Sequence, residues 1–305
     1  TSTSRLGGLE DRSGTPDNPF FSLAASWNGQ SASPLPQGGY GYSEPIQFYD
    51  SNGDLRSGTI YYDGAAKNGG NNVVEYVVAM SPAQDASDKA DSKAAGLLMA
   101  GTLTFASDGQ LVNMTAFSPP ASGDPADLEG WTPAALQNGK AAFTVQPDGA
   151  EAQTITLDMG FSLGPDGSSG GGLGSAAEAA ANPEAIYAAS PGGSREEYAS
   201  SATGSELGSV RDARDGYSAG ALRDVTVSED GVISGIYSNN QTQELFRISM
   251  YRFTCEDGLR HEGSNRYAAT QESGPAEEGV AGQENFGSLT SNALEQSNVD
   301  YAREF

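Results

Sequence analysis

The sequence holds one cysteine, Cys255, and one histidine, His261. A lone cysteine has no partner for an intrachain disulfide, so the fold rests on non-covalent packing. A lone histidine excludes multi-histidine metal sites and leaves a Ser-His-Asp triad an unsupported guess. No stretch approaches the run of about 18 apolar residues that a membrane-spanning helix needs. No basic-then-apolar signal peptide opens the chain. A secreted protein that forgoes disulfides points to an export route that bypasses oxidative folding; the other reading is a cytosolic home. Charged residues make up 18% of the chain, below the roughly 25% of ordinary soluble domains. Aromatics are only 9%.

What fills the gap is small and polar. The chain carries 40 glycines in 305 residues, with many Ser, Thr, Asn and Ala. This favours an extended, loop-rich β protein over a compact enzyme. Forty acids against 16 bases give a net charge of −24. Phosphate backbones and anionic lipid repel such a surface, which argues against nucleic-acid binding and membrane insertion. Solubility is the plain reading of the charge. Of the 16 bases 12 are arginine, the better residue for packed ion pairs.

Along the chain, residues 1–37 read as an irregular strap, rich in Pro, Gly and Ser and anchored by Phe20, Phe21, Leu23 and Trp27. From Glu44 the pattern is that of strands. Pro45 to Tyr49 and Ser57 to Tyr62 flank Asp50-Ser51-Asn52-Gly53-Asp54. Asn52-Gly53 between alternating apolar residues predicts a hairpin whose two turn residues both take positive φ. Val73 to Met80 is apolar nearly throughout and reads as a buried strand. Asp108-Gly109, Pro147-Asp148-Gly149 and Asp230-Gly231 mark further hairpins. Residues 164–208 read as an exposed low-complexity insertion with one short helix. Leu245 to Phe253 reads as one long strand, with Leu245, Arg247, Ser249 and Tyr251 on one face. At the end, Ser297 can cap a helix through the amide of Asp300, so a helix is expected to start over residues 297–305 and to continue past Phe305.

Motifs that carry chemistry are weak. Asp50-x-Asn52-x-Asp54 resembles the opening of a Ca²⁺ loop, but the sixth and twelfth positions are Leu55 and Tyr61 instead of Gly and Glu. A hairpin turn is favoured. Gly170-Gly171-Gly172-Leu173-Gly174 lacks the Gly-Lys-Ser/Thr of a phosphate cradle. Cys255 sits beside Glu256 and Asp257, and neighbouring carboxylates make a thiol less reactive. Acids such as Glu75 and Asp158 show no paired spacing that would support hydrolase chemistry. No cofactor, metal or catalytic residue is assigned.

One set of residues does carry a resemblance. Asp230 to Asn239, Ile248 to Phe253, Gly258-Leu259, Gly263 to Tyr267, Thr270 to Gly274, Phe286 to Leu289 and Leu294 to Asp300 together resemble the bacterial flagellar hook protein family. Within these runs the signature positions are Tyr237, Ser238, Asn239, Phe253, Gly258, Leu259, Ser273, Gly274 and Gly287. The last run adds Leu294, Glu295, Ser297, Asn298, Val299 and Asp300, a Leu-Glu-x-Ser-Asn-Val-Asp pattern shared by rod, hook and hook-associated proteins. The resemblance is strong over 213–305, moderate over 44–115 and absent over 160–210.

It implies a mainly β chain with an outer barrel- or sandwich-like domain over 38–212. The C-terminal half of a middle β domain would follow over 213–296, without the terminal helices that line the polymer. It implies a structural role and no enzyme activity: a subunit of a helical tube that works as a universal joint between rod and filament. Partners by resemblance are neighbouring copies of the subunit, the hook cap protein, the distal rod protein and the hook-filament junction protein. The expected location is extracellular, in the flagellum, after type III export without a cleavable signal. Rival readings are a distal rod or hook-filament junction protein, and a secreted carbohydrate-binding module using Trp27, Trp131 and some of the 13 tyrosines.

Overall fold

The computed structural model describes residues 1–67, 70–163, 169–264, 266–283 and 285–294. The chain is mainly β and divides into two compact units, Thr1–Ser218 and Ala219–Phe305. The first unit contains β1 (Ser2–Leu6), β2 (Tyr42–Tyr49), β3 (Leu55–Gly64), β4 (Asn72–Met80), β5 (Leu97–Phe105), β6 (Leu111–Met114) and β7 (Phe117–Ser118). It continues with β8 (Thr132–Pro133), β9 (Ala135–Gln137), β10 (Lys140–Val145), β11 (Gln153–Leu157), β12 (Phe161–Ser162), β13 (Ser194–Arg195) and β14 (Leu207–Asp212). The main sheet runs β2-β3-β4-β5-β7-β8, with β6 also paired to β5. A smaller sheet runs β11-β10-β9, and β1-β14 and β12-β13 form pairs. These sheets are open, and among the described residues none closes into a barrel.

The centre of the main sheet, β4 and β5, is buried on both faces, and the sequence of β4 shows why. Val74, Tyr76, Val78 and Met80 enter one apolar cluster, while Val73, Val77 and Ala79 enter the other. A strand covered on both sides has no polar face, so it reads as a continuous apolar run. On one side the sheet is covered by Leu6, Ala141, Phe143, Val145 and Leu157, from β1, β10 and β11. On the other it is covered by residues from the first 35 positions and by two short helices. Pro45 lies in β2, an edge strand, where a missing backbone N–H is tolerated.

Residues 1–37 are more regular than a strap. Ser2–Leu6 forms β1 and pairs with β14, and Ser22–Ala25 forms a helical turn, α1. Phe20, Phe21, Leu23 and Trp27 are buried against the main sheet; each such side chain contributes about 1.5–3 kcal/mol. The expectation of an exposed insertion at 164–208 is corrected over the described part, 169–208. Two helices form there, α2 (Ala176–Ala181) and α3 (Pro183–Tyr187), and Leu173, Ala176, Ala179 and Ile186 are buried on the sheet. Small alanines let the helix backbone approach the sheet closely. Ser175 caps α2 by accepting from the amide of Glu178, whose carboxylate in turn accepts from the amide of Gly174.

The second unit contains β15 (Leu222–Val227), β16 (Val232–Tyr237), β17 (Thr242–Arg247), β18 (Ser249–Arg252), β19 (Arg260–Gly263), β20 (Arg266–Ala268) and β21 (Glu277–Val280). The long strand expected over 245–253 is two strands in two sheets. β17 pairs with β16, and β18 pairs with β21. The break falls at Ile248: its amide still donates to the carbonyl of Gly231, one step beyond the Val232–Arg247 pair, and from Ser249 the chain pairs with β21 instead. The helix expected at 297–305 lies outside the described residues.

Candidate functional site

The signature residues can be followed one by one. Tyr237 ends β16, and its amide donates to the carbonyl of Gln241. Ser238 and Asn239 lie in the turn that this bond closes. Ser238 Oγ accepts from the amide of Ala221 at 3.0 Å, and Asn239 Oδ1 accepts from the amide of Gln241 at 3.1 Å. Phe253 follows β18 and is half-buried.

Gly258, Ser273 and Gly274 meet at one junction, and Leu259 follows it with its amide donating to the carbonyl of Glu256. Ser273 is fully buried, and its Oγ donates toward the carbonyl of Thr270 and accepts from the amide of Thr270 at 2.9 Å. Thr270 Oγ1 donates to the carbonyl of Gly258 at 2.6 Å. Gly258 has no room for a side chain: a Cβ there would stand 2.7 Å from the amide nitrogen of Ser273. Gly274 turns the chain away at φ +74°. These residues fasten one turn to another and present no reactive group. Thr270, which makes the central bond, is not among the signature positions. Gly287 accepts from the amide of Gly282 through its carbonyl and has open space around its Cα. Leu294 is almost fully exposed. Glu295, Ser297, Asn298, Val299 and Asp300 lie outside the described residues.

The Asn52-Gly53 turn differs from its expected geometry. Gly53 takes φ +79°, but Asn52 is not in the positive region. The loop spans five residues between Tyr49 and Leu55 and needs only one left-handed position. Asp50 organises it. Its carboxylate accepts from the amides of Asn52 and Asp54 and from Arg56 Nε at 2.7 Å. Burial alone would raise its pKa; the Arg56 contact and the two amides outweigh that and hold it below the ordinary aspartate value. The carboxylate is spent on the turn, which answers the resemblance to a Ca²⁺ loop. The two-residue Asn-Gly turn with both φ positive occurs elsewhere, at Asn138 (φ 51°) and Gly139 (φ 75°) between β9 and β10. Its signal, Asn138-Gly139, is present in the sequence.

Other candidate groups are placed as follows. Trp27 and Trp131 are buried, with Nε1 donating to the carbonyls of Ala95 and Pro125, so neither offers a platform for a sugar ring. His261 is exposed and packs edge-on to Tyr267, with ring centroids 5.1 Å apart. Cys255 is exposed. Among the described residues no group of His, Cys, Asp and Glu could hold a metal ion. No described helix is long and apolar enough to cross a membrane.

The acids do gather in pairs that spacing did not show. Asp63 on β3 stands directly opposite Glu75 on β4, and both are buried. Asp158 and Glu196 hold Lys140 Nζ at 2.7 and 2.6 Å. Burial would raise the Asp158 pKa, but the Lys140 ammonium and the amide of Gly160 outweigh it and lower the value. A cavity of about 390 Å³ between β2, β11 and residues 212–216 has an apolar floor of Ile46, Phe48, Phe143 and Ile155. Neither acid pair lines it.

Residues 22–217 match the family described as the flagellar basal body protein FlaE D2 domain. The chain belongs to this family. The matched span covers nearly all of the first unit and two-thirds of the sequence. Over 95 residues the chain is 46% identical to the flagellar hook protein FlgE of Escherichia coli strain K12, a match covering 31% of this chain and 24% of that protein. Over 92 residues it is 35% identical to the flagellar hook protein FlgE of Treponema pallidum, covering 30% and 20% respectively. The chain therefore spans a quarter or less of the curated relatives it matches. A solved Helicobacter pylori flagellar hook protein, FlgE2, aligns at 19% identity and a TM-score of 0.33, over 77% of this chain and 38% of that one. The FlaE D2 match begins at α1 and ends after β14, so it takes in the helices that cover the sheet as well as the sheet itself.

Proposed function

We propose that the chain is part of a structural subunit of the bacterial flagellar hook, the flexible joint that passes torque from rod to filament. The match of the D2 family across residues 22–217 carries this reading, with relatives that are named flagellar hook protein FlgE. The chemistry agrees. Asp50 is held in a turn, Asp158 and Glu196 in ion pairs with Lys140, and His261 in ring packing, and none of them lines the cavity.

On this reading the first unit is the outer domain. The second is the C-terminal half of a middle domain, whose boundaries we take as about 213 and 296. Exposed Leu222, Val225, Phe246, Tyr251 and Tyr267 in the second unit are what half of a domain leaves uncovered. Subunits would reach the extracellular flagellum through type III export and pack against further copies, the hook cap protein, the distal rod protein and the hook-filament junction protein. No catalysis is assigned.

Antibodies raised against residues 22–217 test this on purified flagella. Label is expected along the curved segment between rod and filament. Label confined to the rod would overturn the hook assignment in favour of a rod protein.

A further inference from the structure

The buried pair Asp63 and Glu75 is closed over by residues 11–14, and the closure has one hydrogen fewer than its contacts require. Asp63 Oδ2 accepts from the amides of Arg12 and Ser13, each at 2.9 Å. Ser13 Oγ lies 2.9 Å from the same oxygen and 2.5 Å from Glu75 Oε1. A serine hydroxyl has one hydrogen and cannot donate to both carboxylates. The two contacts are both hydrogen bonds when Glu75 is the acid: its O–H donates to Ser13 Oγ, and Ser13 donates to Asp63. The other Glu75 oxygen accepts from the amide of Leu23 at 3.0 Å, at the first turn of α1. One proton thus ties the 11–14 loop, the start of α1 and two adjacent strands into a single chain of bonds.

We propose that residues 11–14 form a proton-dependent clip, in which a proton held between Glu75 and Asp63 through Ser13 keeps the N-terminal segment closed on the main sheet.

The surroundings agree. Glu75 is 2% exposed and Asp63 is fully buried, with Oδ1 left without a partner. The charged groups acting on Glu75 are Asp63 from β3 and Asp11 from the overlying loop, and both repel a second negative charge. From β5 its cross-strand neighbour is Thr102, which carries no charge. From α1 it meets a backbone amide. Burial is the largest influence and pushes Glu75 up to about 8; Asp63 is raised as well, again mainly by burial, while the bonds from the amides of Arg12 and Ser13 and from the Ser13 hydroxyl act in the opposite direction. When the clip opens, Glu75 meets water and returns toward its ordinary value of 4.5. The closed state therefore holds a proton that the open state releases. Its advantage is fully present below pH 4.5, shrinks as pH rises toward 8, and has gone above it.

Hydrogen exchange at the amides of Ser13 and Leu23 tests the clip. After correction for the intrinsic rate, protection in the wild-type chain is expected to fall by about tenfold per pH unit between 6 and 7.5 and to level off above 8. E75Q removes the proton while keeping both bonds, because the amide donates to Ser13 and its oxygen accepts from Leu23. Its protection is expected to stay flat over the same range. Equal pH profiles in the two proteins would overturn the clip. Should E75Q fail to fold, carbon-detected NMR of the Glu75 carboxyl in the wild-type chain decides instead. A midpoint near 8 supports the clip, and one below 6 refutes it.

Discussion

The two units use the same hairpin vocabulary and reach different depths. In the first, β4 and β5 are buried on both faces, and Trp131, Phe117, Phe20 and Phe21 are almost completely hidden. In the second, β15 is exposed at every residue but the last, and Phe246 on β17 is 72% exposed. Alternating sequence alone therefore does not make a core. What separates the units is cover: the first has helices, the N-terminal segment and a second sheet laid on its main sheet, while the second has short two- and three-stranded sheets. Stability should follow the cover, and the sharpest way to break that comparison is to cut matching aromatics. Trp131→Ala is expected to cost about 3–5 kcal/mol in urea unfolding, whereas Phe246→Ala should stay within about 0.5 kcal/mol. Comparable losses would mean that the exposed face of the second unit is covered in solution.

Electrostatics sharpen the same contrast. Lys140 is mostly buried between two carboxylates in the first unit, whereas the Arg260–Glu262 pair of the second is open to water. Lys140→Met leaves Asp158 and Glu196 facing each other without a cation and is expected to cost about 2 kcal/mol. Arg260→Met should cost less than about 0.5 kcal/mol. The pH dependence has a definite sign. Asp158 is more acidic in the folded chain, so the stability it contributes is present above the ordinary aspartate range and is lost as pH falls through its depressed value. Acid unfolding followed by circular dichroism should therefore begin at higher pH in Lys140→Met than in the wild-type chain. An unchanged midpoint would show that Lys140 does not set the acidity of Asp158.

How much of this was legible beforehand depends on the range of the contact. β4 announced its double burial because, Asn72 and Glu75 apart, the residues on both of its faces are apolar. Asp108-Gly109, Pro147 to Gly149 and Asp230-Gly231 marked turns because a left-handed residue is a local demand, and each of these glycines takes positive φ. The cover at 169–208 was not legible. Ala176 and Ala179 look like linker residues until a sheet lies close enough to need small side chains. The break at Ile248 depends on β21, which places Val280 opposite Ser249, thirty-one residues away. Asp63 and Glu75 become a pair only once the β3–β4 register is known, since twelve residues separate them in the chain. In the second unit, the family resemblance took in Gly258 and the run Thr270 to Gly274 but not the bond by which Thr270 joins them.

Two signature glycines of the second unit separate packing from identity. Gly258→Ala would drive a Cβ into the backbone at Ser273, and a cost of about 1–3 kcal/mol is expected for such overpacking. Gly287→Ala meets nothing within 4 Å and has no positive φ, so its cost should be within about 0.5 kcal/mol. Thermal unfolding of the two variants measures the difference. If Gly287→Ala proved as damaging as Gly258→Ala, the signature at Gly287 would have to answer to something that packs on it from outside the unit.

The smallest effect tests two Asn-Gly pairs of the first unit, Asn52-Gly53 and Asn138-Gly139, against each other. At Asn138 the backbone sits at φ 51°, and Asn is among the few residues with a side chain that visit this region readily. Alanine there carries the left-handed penalty of about 1 kcal/mol. Asn52 is not left-handed, so the same substitution costs no strain. It removes the bond from Asn52 Nδ2 to the carbonyl of Gly149, an exposed contact at 2.8 Å. A loss of about 0.5 kcal/mol is expected for such a bond. Asn138→Gly separates strain from chemistry, because glycine tolerates positive φ without the amide side chain. Urea unfolding should place Asn138→Gly closer to wild type than Asn138→Ala. At Asn52, where no left-handed strain is there to relieve, glycine should give no such recovery over alanine. Equal costs for glycine and alanine at Asn138 would mean that the side chain, and not the turn, is what that position requires.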